Sequence, residues 1–258
     1  LMKDEGIALI ILTQNKYFGE LDLIINRLNE LEIDKYFQCY VACKNIDRKF
    51  NFSNWIKLIV PENCKTWGSE LIYALDMIKE KYVFIFLDDF YPYKKISALK
   101  LKETVISSLV YDPSLIRINS NYNRRIFLKR KENNIFLETY QHSYSTSLVL
   151  PIFEKIFLKQ ILSKNDSPWS FEKNANERFD FNEHNFVFIK GNEIDFRVAN
   201  LVIKGYSLRS SLKRIPKSKK FNYQKLSKIK KMSLFKEIKF HLKKLIFDIF
   251  MAYFPFTR

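Results

Sequence analysis

The first half of the chain alternates continuous apolar runs with segments of helical periodicity. Four runs have the length and composition of buried strands: Ile7–Thr13, Phe37–Ala42, Trp55–Val60 and Tyr82–Leu87. Between them, apolar residues recur at helical spacing over 18–31 and 66–78, which predicts two amphipathic helices. Because strands and helices of this length alternate, we expect parallel pairing and a three-layer α/β/α sandwich with a mostly parallel central sheet.

The second half of the chain has a less regular pattern. A helix is predicted over 98–110, and Pro151 at a first helical position predicts another helix that continues to Leu162. The segment between Ser167 and Asn174 is polar and is predicted to be a loop. Short extended segments are predicted at 115–119, 125–129, 134–140, 185–190 and 195–204. They indicate a mixed or antiparallel extension of the sheet.

Positive charge is concentrated at the end of the chain. The 258 residues carry a formal net charge of +16, and Lys204 to Arg258 alone contribute 16 Lys and Arg against Glu237 and Asp248. That segment therefore has a net charge of +14 and leaves only +2 for residues 1–203. The asymmetry predicts a catalytic domain over 1–203 and a tail over 204–258 with its own electrostatic role.

The tail combines this charge with an apolar helical stripe. Large apolar residues share one predicted helical face: Leu234, Phe235, Ile238, Leu242, Leu245, Ile246, Ile249 and Tyr253. Lysines occupy the opposite side: Lys236, Lys239, Lys243 and Lys244. A basic amphipathic helix of this kind is typical of interfacial association with an anionic membrane. The apolar stretch is too short to span a bilayer, and the alternative is a helix packed on the protein's own core or on a second subunit.

Composition excludes several classes of protein. The chain has only five Gly and contains neither a G-x-G-x-x-G fingerprint nor a P-loop, which argues against Rossmann dehydrogenases and Walker-type ATPases. Cys39, Cys43 and Cys64 have no nearby His and are odd in number, so they indicate neither a zinc site nor a disulfide framework. We expect buried thiols in a reducing compartment, and hence a cytoplasmic protein. The basic amphipathic tail adds the expectation that the protein is held peripherally at the inner face of the cell membrane.

Two adjacent carboxylates, Asp88 and Asp89, follow the apolar run Tyr82–Leu87. Ligands of open α/β sheets bind at the carboxyl ends of the strands, where this pair is expected. Adjacent carboxylates repel each other, and a hard divalent cation such as Mg²⁺ or Mn²⁺ would offset their charge. The sequence therefore predicts a metal site at Asp88 and Asp89 that also binds a substrate diphosphate. The alternative is that one Asp merely caps the following turn.

Less specific candidates for the nucleotide-binding and acceptor sites lie near the ends of other elements. Thr13 and Asn15 follow the first strand, where a nucleotide would be expected in an α/β crevice. Trp67 and Ser69 begin the second helix, whose amides are suited to bind phosphate, although Thr66 is equally suited to be a plain helix cap. The polar segment 141–145 is a candidate acceptor site.

The chain resembles the GT-A nucleotide-sugar glycosyltransferases over roughly residues 5–204, in a regular first half whose fourth strand ends in Asp-Asp and a more irregular second half. The segment Phe86–Asp89 resembles the Asp-x-Asp-type metal and nucleotide motif of that superfamily, but the chain has Asp-Asp-Phe instead of two Asp separated by one residue. The pairing of Trp67–Leu71 with a later Pro168–Glu172 is similar to bacterial transferases of the lipopolysaccharide or capsule type. The resemblance implies a GT-A-like fold, with Asp88 binding both metal and donor.

Glu172 is the candidate general base, on the combined grounds of chemistry and resemblance. An inverting sugar transfer needs one base on the acceptor hydroxyl, and Trp169 and Phe171 beside Glu172 are suited to stack on a sugar ring. Asp166, Asp180 and His142 are alternative bases. A structural role for Glu172 and a retaining mechanism both stay open.

The sequence therefore predicts transfer of a sugar from a nucleotide-sugar donor to a glycan or lipid-linked acceptor in bacterial surface polysaccharide assembly. No nucleic-acid partner is expected, since no recognition motif for one is present. The rival hypotheses are a nucleic-acid binder or a non-catalytic membrane-docking protein that uses the basic tail.

Overall fold

A computed structural model gives the fold of the chain. It describes residues 6–14, 17–44, 54–118, 128–132, 134–141, 145–191, 193–203, 206–213, 215 and 231–253.

The described strands, in chain order, are β1 (Ile7–Thr13), β2 (Gln38–Cys43), β3 (Ile56–Ile59), β4 (Tyr82–Leu87), β5 (Phe90–Pro92), β6 (Pro113–Arg117), β7 (Leu128–Glu132), β8 (Ile135–Glu138), β9 (Pro151–Glu154), β10 (Asn185–Ile189), β11 (Val198–Asn200), β12 (Val202–Ile203) and β13 (Tyr206–Ser207). The helices are α1 (Phe18–Glu30), α2 (Trp67–Met77), α3 (Ala98–Ser108), α4 (Lys155–Ile161), α5 (Pro168–Asn174), α6 (Arg209–Leu212) and α7 (Leu234–Tyr253). Short 3-10 turns lie at Ile33–Lys35, Leu109–Tyr111, Ala175–Glu177 and Phe181–Glu183.

One large sheet organises the described residues. Its nine strands lie in the order β3-β2-β1-β4-β9-β6-β10-β8-β7. Strand β1 pairs in parallel with β2 and β4, and β6 pairs in parallel with β10. Strand β9 is antiparallel to both β4 and β6, and β8 is antiparallel to β10 and β7. All strands of this sheet except β8 and β9 therefore run in one direction, so the mostly parallel sheet is confirmed.

Helices cover both faces of the sheet, as the sandwich prediction requires. On one face, α1 and α3 bury apolar residues such as Leu21, Ile24 and Leu101 against the odd-numbered residues of β1 and the even-numbered residues of β4. On the other face, α2, α4 and α5 pack through residues that include Leu71 and Phe171. The alternation of side chains along β4 supplies both cores, which explains its uninterrupted apolar sequence.

Small ribbons extend the fold beyond the large sheet. Strand β5 pairs with β11. Strands β12 and β13 pair with each other although the charge pattern predicts a domain boundary between them, after residue 203. Tyr91, Leu201, Val202 and Ile215 form a separate apolar cluster. The described residues up to 215 therefore pack with the preceding domain, and α7 follows as the predicted tail helix.

Two local predictions are wrong. Pro151 does not begin a helix, because Pro151–Glu154 forms β9 and the helix begins only at Lys155. The polar segment 167–174 is not a loop but α5, with Pro168 at its first position and a capping box between Ser167 and Ser170. Of the extended segments, 125–127 lie outside the described residues and the strand begins at Leu128.

No helix among the described residues combines the length and the apolar character that crossing a membrane requires.

Candidate functional site

Asp88 and Asp89 form the turn between β4 and β5, at the carboxyl end of β4. The backbone N–H of Leu201 donates to the carbonyl oxygen of Asp89 at 2.6 Å. On the far side of the turn, Phe90 is paired with Asn200 in the β5–β11 ribbon. The carboxylate pair is therefore held between two paired strands, and the predicted position at a strand end is confirmed.

The two carboxylates influence each other electrostatically. Burial, together with the neighbouring charge of Asp88, raises the pKa of Asp89 to about 7. Among the described residues, no group of three or more His, Cys, Asp or Glu side chains is arranged to hold a metal ion. A cation at this turn would therefore need further oxygen ligands from a substrate or from water, which suits a site that binds a metal with a diphosphate.

Thr13 lies at the same edge of the sheet. The register pairs Leu12 with Leu87, so the next residues along each strand, Thr13 and Asp88, both lie at the carboxyl ends of adjacent strands. Thr13 is almost completely buried. Asn15, the other predicted nucleotide-binding residue of this loop, lies outside the described residues.

Lys44 is a candidate that the sequence analysis missed. It directly follows β2, which ends at the same edge as β1 and β4. Its Nζ donates to the carbonyl oxygen of Cys64 at 2.5 Å, just before α2. Burial raises the pKa of Glu70 in the first turn of α2, and the charge of Lys44 opposes that rise. The rule that selected Thr13 and Asp88, a polar residue directly after a buried strand, would also have selected Lys44.

The start of α2 packs directly on the segment that leads into α5. The rings of Trp67 and Phe171 lie 5.9 Å apart, and the N–H of Gly68 donates to the carbonyl oxygen of Asp166 at 2.8 Å. Thr66 Oγ1 donates to the carbonyl oxygen of Lys164. The two segments that the sequence analysis paired by resemblance are therefore in contact, through backbone as well as side chains.

Trp67 and Ser69 have structural roles in this contact. Ser69 completes a capping box, because its N–H donates to Thr66 Oγ1 at 3.2 Å and its Oγ accepts from the N–H of Thr66 at 3.1 Å. Trp67 packs on Phe171. The plain-cap alternative thus describes Thr66 and Ser69 well, while a role in binding the donor stays a prediction for both Trp67 and Ser69.

Glu172 lies on α5, facing the segment that precedes β9. Its Oε1 accepts a hydrogen bond from Ser147 Oγ at 3.0 Å and another from the backbone N–H of Leu148 at 2.7 Å. Trp169 of the same helix is 73% exposed, whereas Phe171 is fully buried in the core. Of the two aromatic residues predicted to flank the base, only Trp169 is therefore available to contact a ligand.

A buried ion pair lies next to this segment and was not predicted. Arg117, the last residue of β6, pairs with Glu138 at 3.4 Å, and their side chains are 4% and 1% exposed. Arg117 also donates to the carbonyl oxygen of Ser145. Burial lowers the pKa of Arg117, and the charge of Glu138 opposes that effect. The pair therefore ties the end of β6 to the start of the segment that binds Glu172.

The alternative bases are placed differently. Asp166 is buried and accepts two hydrogen bonds from Arg178, at 2.5 Å and 3.0 Å, which indicates a structural role. Asp180 is exposed and caps a short turn that leads into the amino end of β10, at the edge opposite Asp88. His142, Ser143 and Tyr144 lie outside the described residues. Within the candidate acceptor segment, Gln141 Nε2 donates to the carbonyl oxygen of Asn176 at 2.8 Å.

No protein-family model matches the chain, and the comparison with curated proteins also returns no match. Solved structures with a similar arrangement include residues 1–349 of S. aureus TarS, with 15% identity, a TM-score of 0.47 and coverage of 73% of this chain and 58% of that chain. UDP-glucose pyrophosphorylase complexed with UDP-glucose has 9% identity, a TM-score of 0.46 and coverage of 78% and 93%. HddC from Yersinia pseudotuberculosis has 14% identity, a TM-score of 0.44 and coverage of 75% and 93%.

The chain also spans only 36% of the longer TarS structure.

The close contact at Gly68 generates a stability prediction. A Cβ at this position would lie 2.1 Å from the carbonyl oxygen of Ser163 and 3.1 Å from the N of Asp166, both backbone atoms. Gly68→Ala should therefore lower the free energy of unfolding by about 1–3 kcal/mol, although Ala is the better helix former by about 1 kcal/mol. Urea unfolding followed by circular dichroism measures the change. Gly191→Ala is the control, since its Cβ would meet only side chains, and equal stability of Gly68→Ala and wild type would contradict the contact.

The Asp166–Arg178 pair generates a pH prediction. Burial alone would raise the pKa of Asp166, but hydrogen bonds from Arg178 and Ser163 outweigh it and hold the pKa below its usual range. The pair should therefore stabilise the fold above the ordinary Asp pKa of about 4 and lose this contribution as the pH falls through the folded-state pKa. The stability difference between wild type and Asp166→Asn should shrink with acidification, as read from urea midpoints. Asp112→Asn, at an exposed Asp, is the control, and a pH-independent difference would refute the assignment.

Proposed function

We propose that this chain transfers a sugar from a nucleotide-sugar donor to a glycan or lipid-linked acceptor. The observation that carries the proposal is the Asp88–Asp89 turn, where two adjacent, half-buried carboxylates follow the interior strand β4 of a three-layer α/β sandwich. The carboxyl edge of such a sheet is where open α/β folds bind their ligands. A cation bound there together with an anionic substrate would stabilise both carboxylates in the charged form.

The residues present fit a divalent metal. Asp88 and Asp89 supply oxygen ligands of the kind that Mg²⁺ and Mn²⁺ prefer, and all three cysteine thiols are buried. When bound, the ion would stabilise the negative charge that develops on the diphosphate leaving group. The protein's own part would be to hold the two carboxylates in place through the β5–β11 ribbon and the hydrogen bond from Leu201.

The donor is proposed to bind along the same edge. Thr13 lies beside Asp88, and Lys44 follows β2 at that edge and would add a positive charge for a phosphate. The first turn of α2, with Trp67 and Ser69, follows the strand β3 whose carboxyl end lies at the same edge. Helix amides at such a position favour anions, so these residues are proposed, with Asn15, as donor contacts.

Glu172 is proposed as the general base of an inverting transfer. Its Oε1 is oriented by Ser147 and Leu148, which fixes the carboxylate in one position. A base held in this way is positioned before the acceptor arrives, and it would take the proton from the attacking hydroxyl. The exposed ring of Trp169, three residues away on α5, is suited to stack on a sugar ring of the acceptor.

The basic tail supports the proposed acceptor class. A lipid-linked glycan acceptor would lie at the inner face of a bacterial membrane, and the net positive charge at the end of the chain would attract the protein to that surface. We therefore propose a step in surface polysaccharide assembly of the lipopolysaccharide or capsule type, with a hexosyl donor.

The metal assignment can be tested without knowing the acceptor. We expect one member of a panel of nucleotide sugars to raise the melting temperature of the wild-type protein only when Mg²⁺ or Mn²⁺ is present. Asp89→Asn should lose this metal-dependent rise and lose transfer. Because the substitution removes repulsion from Asp88, the melting temperature of the free variant should be equal to or above that of wild type.

The matched control is Asp76→Asn, which changes an exposed carboxylate on α2. It should keep the metal-dependent rise. Stabilisation of Asp89→Asn equal to wild type, or full activity of wild type in chelator, would show that the carboxylate pair does not hold a metal. Hydrolysis or transfer that depends on a metal and a nucleotide sugar also excludes the two non-catalytic hypotheses.

The role of Glu172 is tested by two substitutions that separate chemistry from folding. Glu172→Gln keeps an oxygen that can accept from Ser147 and Leu148, so the fold and donor binding should be preserved while turnover falls by about 10²–10⁴-fold. Glu172→Ala also leaves the N–H of Leu148 without its acceptor, which should lower stability by about 1–3 kcal/mol.

Steady-state turnover and thermal unfolding are measured on both variants. If Glu172→Gln retains wild-type turnover, the residue is structural and the base must be sought at Asp180, Asp166 or His142. A loss of turnover that appears only together with a loss of stability would likewise assign Glu172 a structural role.

A further inference from the structure

Helix α7 docks on the domain through its polar side. Glu237 is 4% exposed, and its Oε1 accepts from the N–H of Ser210 at 2.8 Å and from Ser210 Oγ at 2.6 Å. His241, one turn later, lies 3.1 Å from Ser210 Oγ through its Nε2. Just before the helix, the N–H of Met232 donates to the carbonyl oxygen of Ser207 at 3.0 Å. The start of α7 is therefore fixed to α6 and β13 by hydrogen bonds.

The apolar side of the same helix faces outward. Leu234, Phe235, Ile238 and Leu242 are 60%, 77%, 57% and 54% exposed. Their spacing places them along one stripe of the helix surface. This arrangement reverses the usual one, in which a helix turns its apolar side to the core and its polar side to water. A contiguous exposed stripe of this kind marks an interaction surface.

Positive charge borders the stripe. Lys239 and Lys243 follow Phe235 at successive four-residue steps, so they lie along one side of the stripe and not opposite it as the sequence analysis expected, and both are exposed. The sequence just before the helix adds more lysines: Lys217, Lys219, Lys220, Lys225, Lys228, Lys230 and Lys231. A partner that covers the stripe must therefore offer an apolar layer and negative charge side by side.

We propose that the outward face of α7 docks on an anionic lipid surface. The headgroups would attract the lysines, and the four apolar side chains would enter the boundary between headgroups and acyl chains. A second copy of this chain is disfavoured as the occupant, because it would bring another net +14 from residues 204–258 against the same surface. Nucleic acid would match the charge but would leave the apolar stripe in water. The inference does not depend on the proposed transfer chemistry.

The test compares vesicles of equal parts phosphatidylglycerol and phosphatidylcholine with vesicles of phosphatidylcholine alone, by flotation of the full chain. Wild type should bind the anionic vesicles at least about tenfold more strongly. Ile238→Ser combined with Leu242→Ser should reduce binding to anionic vesicles by at least about tenfold. Lys239→Gln combined with Lys243→Gln should also weaken binding, and the remaining binding should depend less on salt.

Matched controls change equally exposed residues on other elements. Ile156 on α4 and Leu99 on α3 are 71% and 44% exposed, so Ile156→Ser combined with Leu99→Ser should leave flotation unchanged. Lys79→Gln combined with Lys129→Gln is the control for charge, since both lysines are exposed. Because all these side chains are exposed, circular dichroism should report the same fold for every variant.

Three outcomes would overturn the proposal. The first is equal flotation of the Ile238→Ser, Leu242→Ser variant and its control. The second is that wild type does not bind vesicles but forms a dimer in analytical ultracentrifugation, and that this variant abolishes the dimer. A second copy of the chain would then be the occupant of the stripe. The third is tight binding of wild type to duplex DNA that requires Lys239 and Lys243, again without vesicle binding.

Discussion

The structure depends first on the burial of β4 between strands of opposite direction. It pairs in parallel with β1 on one side and antiparallel with β9 on the other, and its residues from Tyr82 to Phe86 are buried. The rings of Phe84 and Phe86 lie 6.1 Å and 5.9 Å from that of Phe196. This aromatic contact brings the chain that follows Phe196 over the end of β4, where Leu201 binds the backbone of Asp89. The position of the carboxylate pair is thus set by core packing, which keeps the pair in place despite its mutual repulsion.

A second constraint is the absence of a side chain at Gly68. The carbonyl oxygen of Ser163 occupies the space that a Cβ would need, so α2 and the segment before α5 meet at backbone distance. Two helices with capping boxes, at Thr66 and Ser167, therefore begin close together. The same arrangement carries the candidate donor contacts on α2 and the candidate base on α5 within one packed unit.

Much of this arrangement could be predicted from local sequence. The strands β1 to β4 and the helices α1 and α2 follow from apolar periodicity, and the residues after the strands predict the edge where Thr13, Asp88 and Asp89 lie. Pro151 was misassigned because proline suits the first position of a helix and of a strand alike, and only pairing with β4 and β6 distinguishes them. Helix α5 was missed although Ser167, Pro168 and Ser170 carry a capping signal.

The contacts that could not be predicted join residues far apart in the chain. The Arg117–Glu138 pair and the hydrogen bonds from Ser147 and Leu148 to Glu172 exist only because β6, β8, α5 and the segment before β9 converge. No local periodicity encodes such convergence. The docking of α7 by Glu237 is a similar case, since the sequence shows which residues share a helical face but not which face meets the domain.

The buried ion pair gives a physical reason to connect stability with the candidate chemistry. The two side chains are only 4% and 1% exposed, and the desolvation penalty of burying their charges offsets much of their electrostatic attraction. An apolar pair of similar volume often stabilises a fold as well or better. Stability alone therefore does not explain why Arg117 and Glu138 occupy this place. Arg117 also binds the carbonyl oxygen of Ser145, which begins the segment whose Ser147 and Leu148 orient the Glu172 carboxylate. Through these contacts the ion pair is joined to this segment, and the segment in turn holds the Glu172 carboxylate.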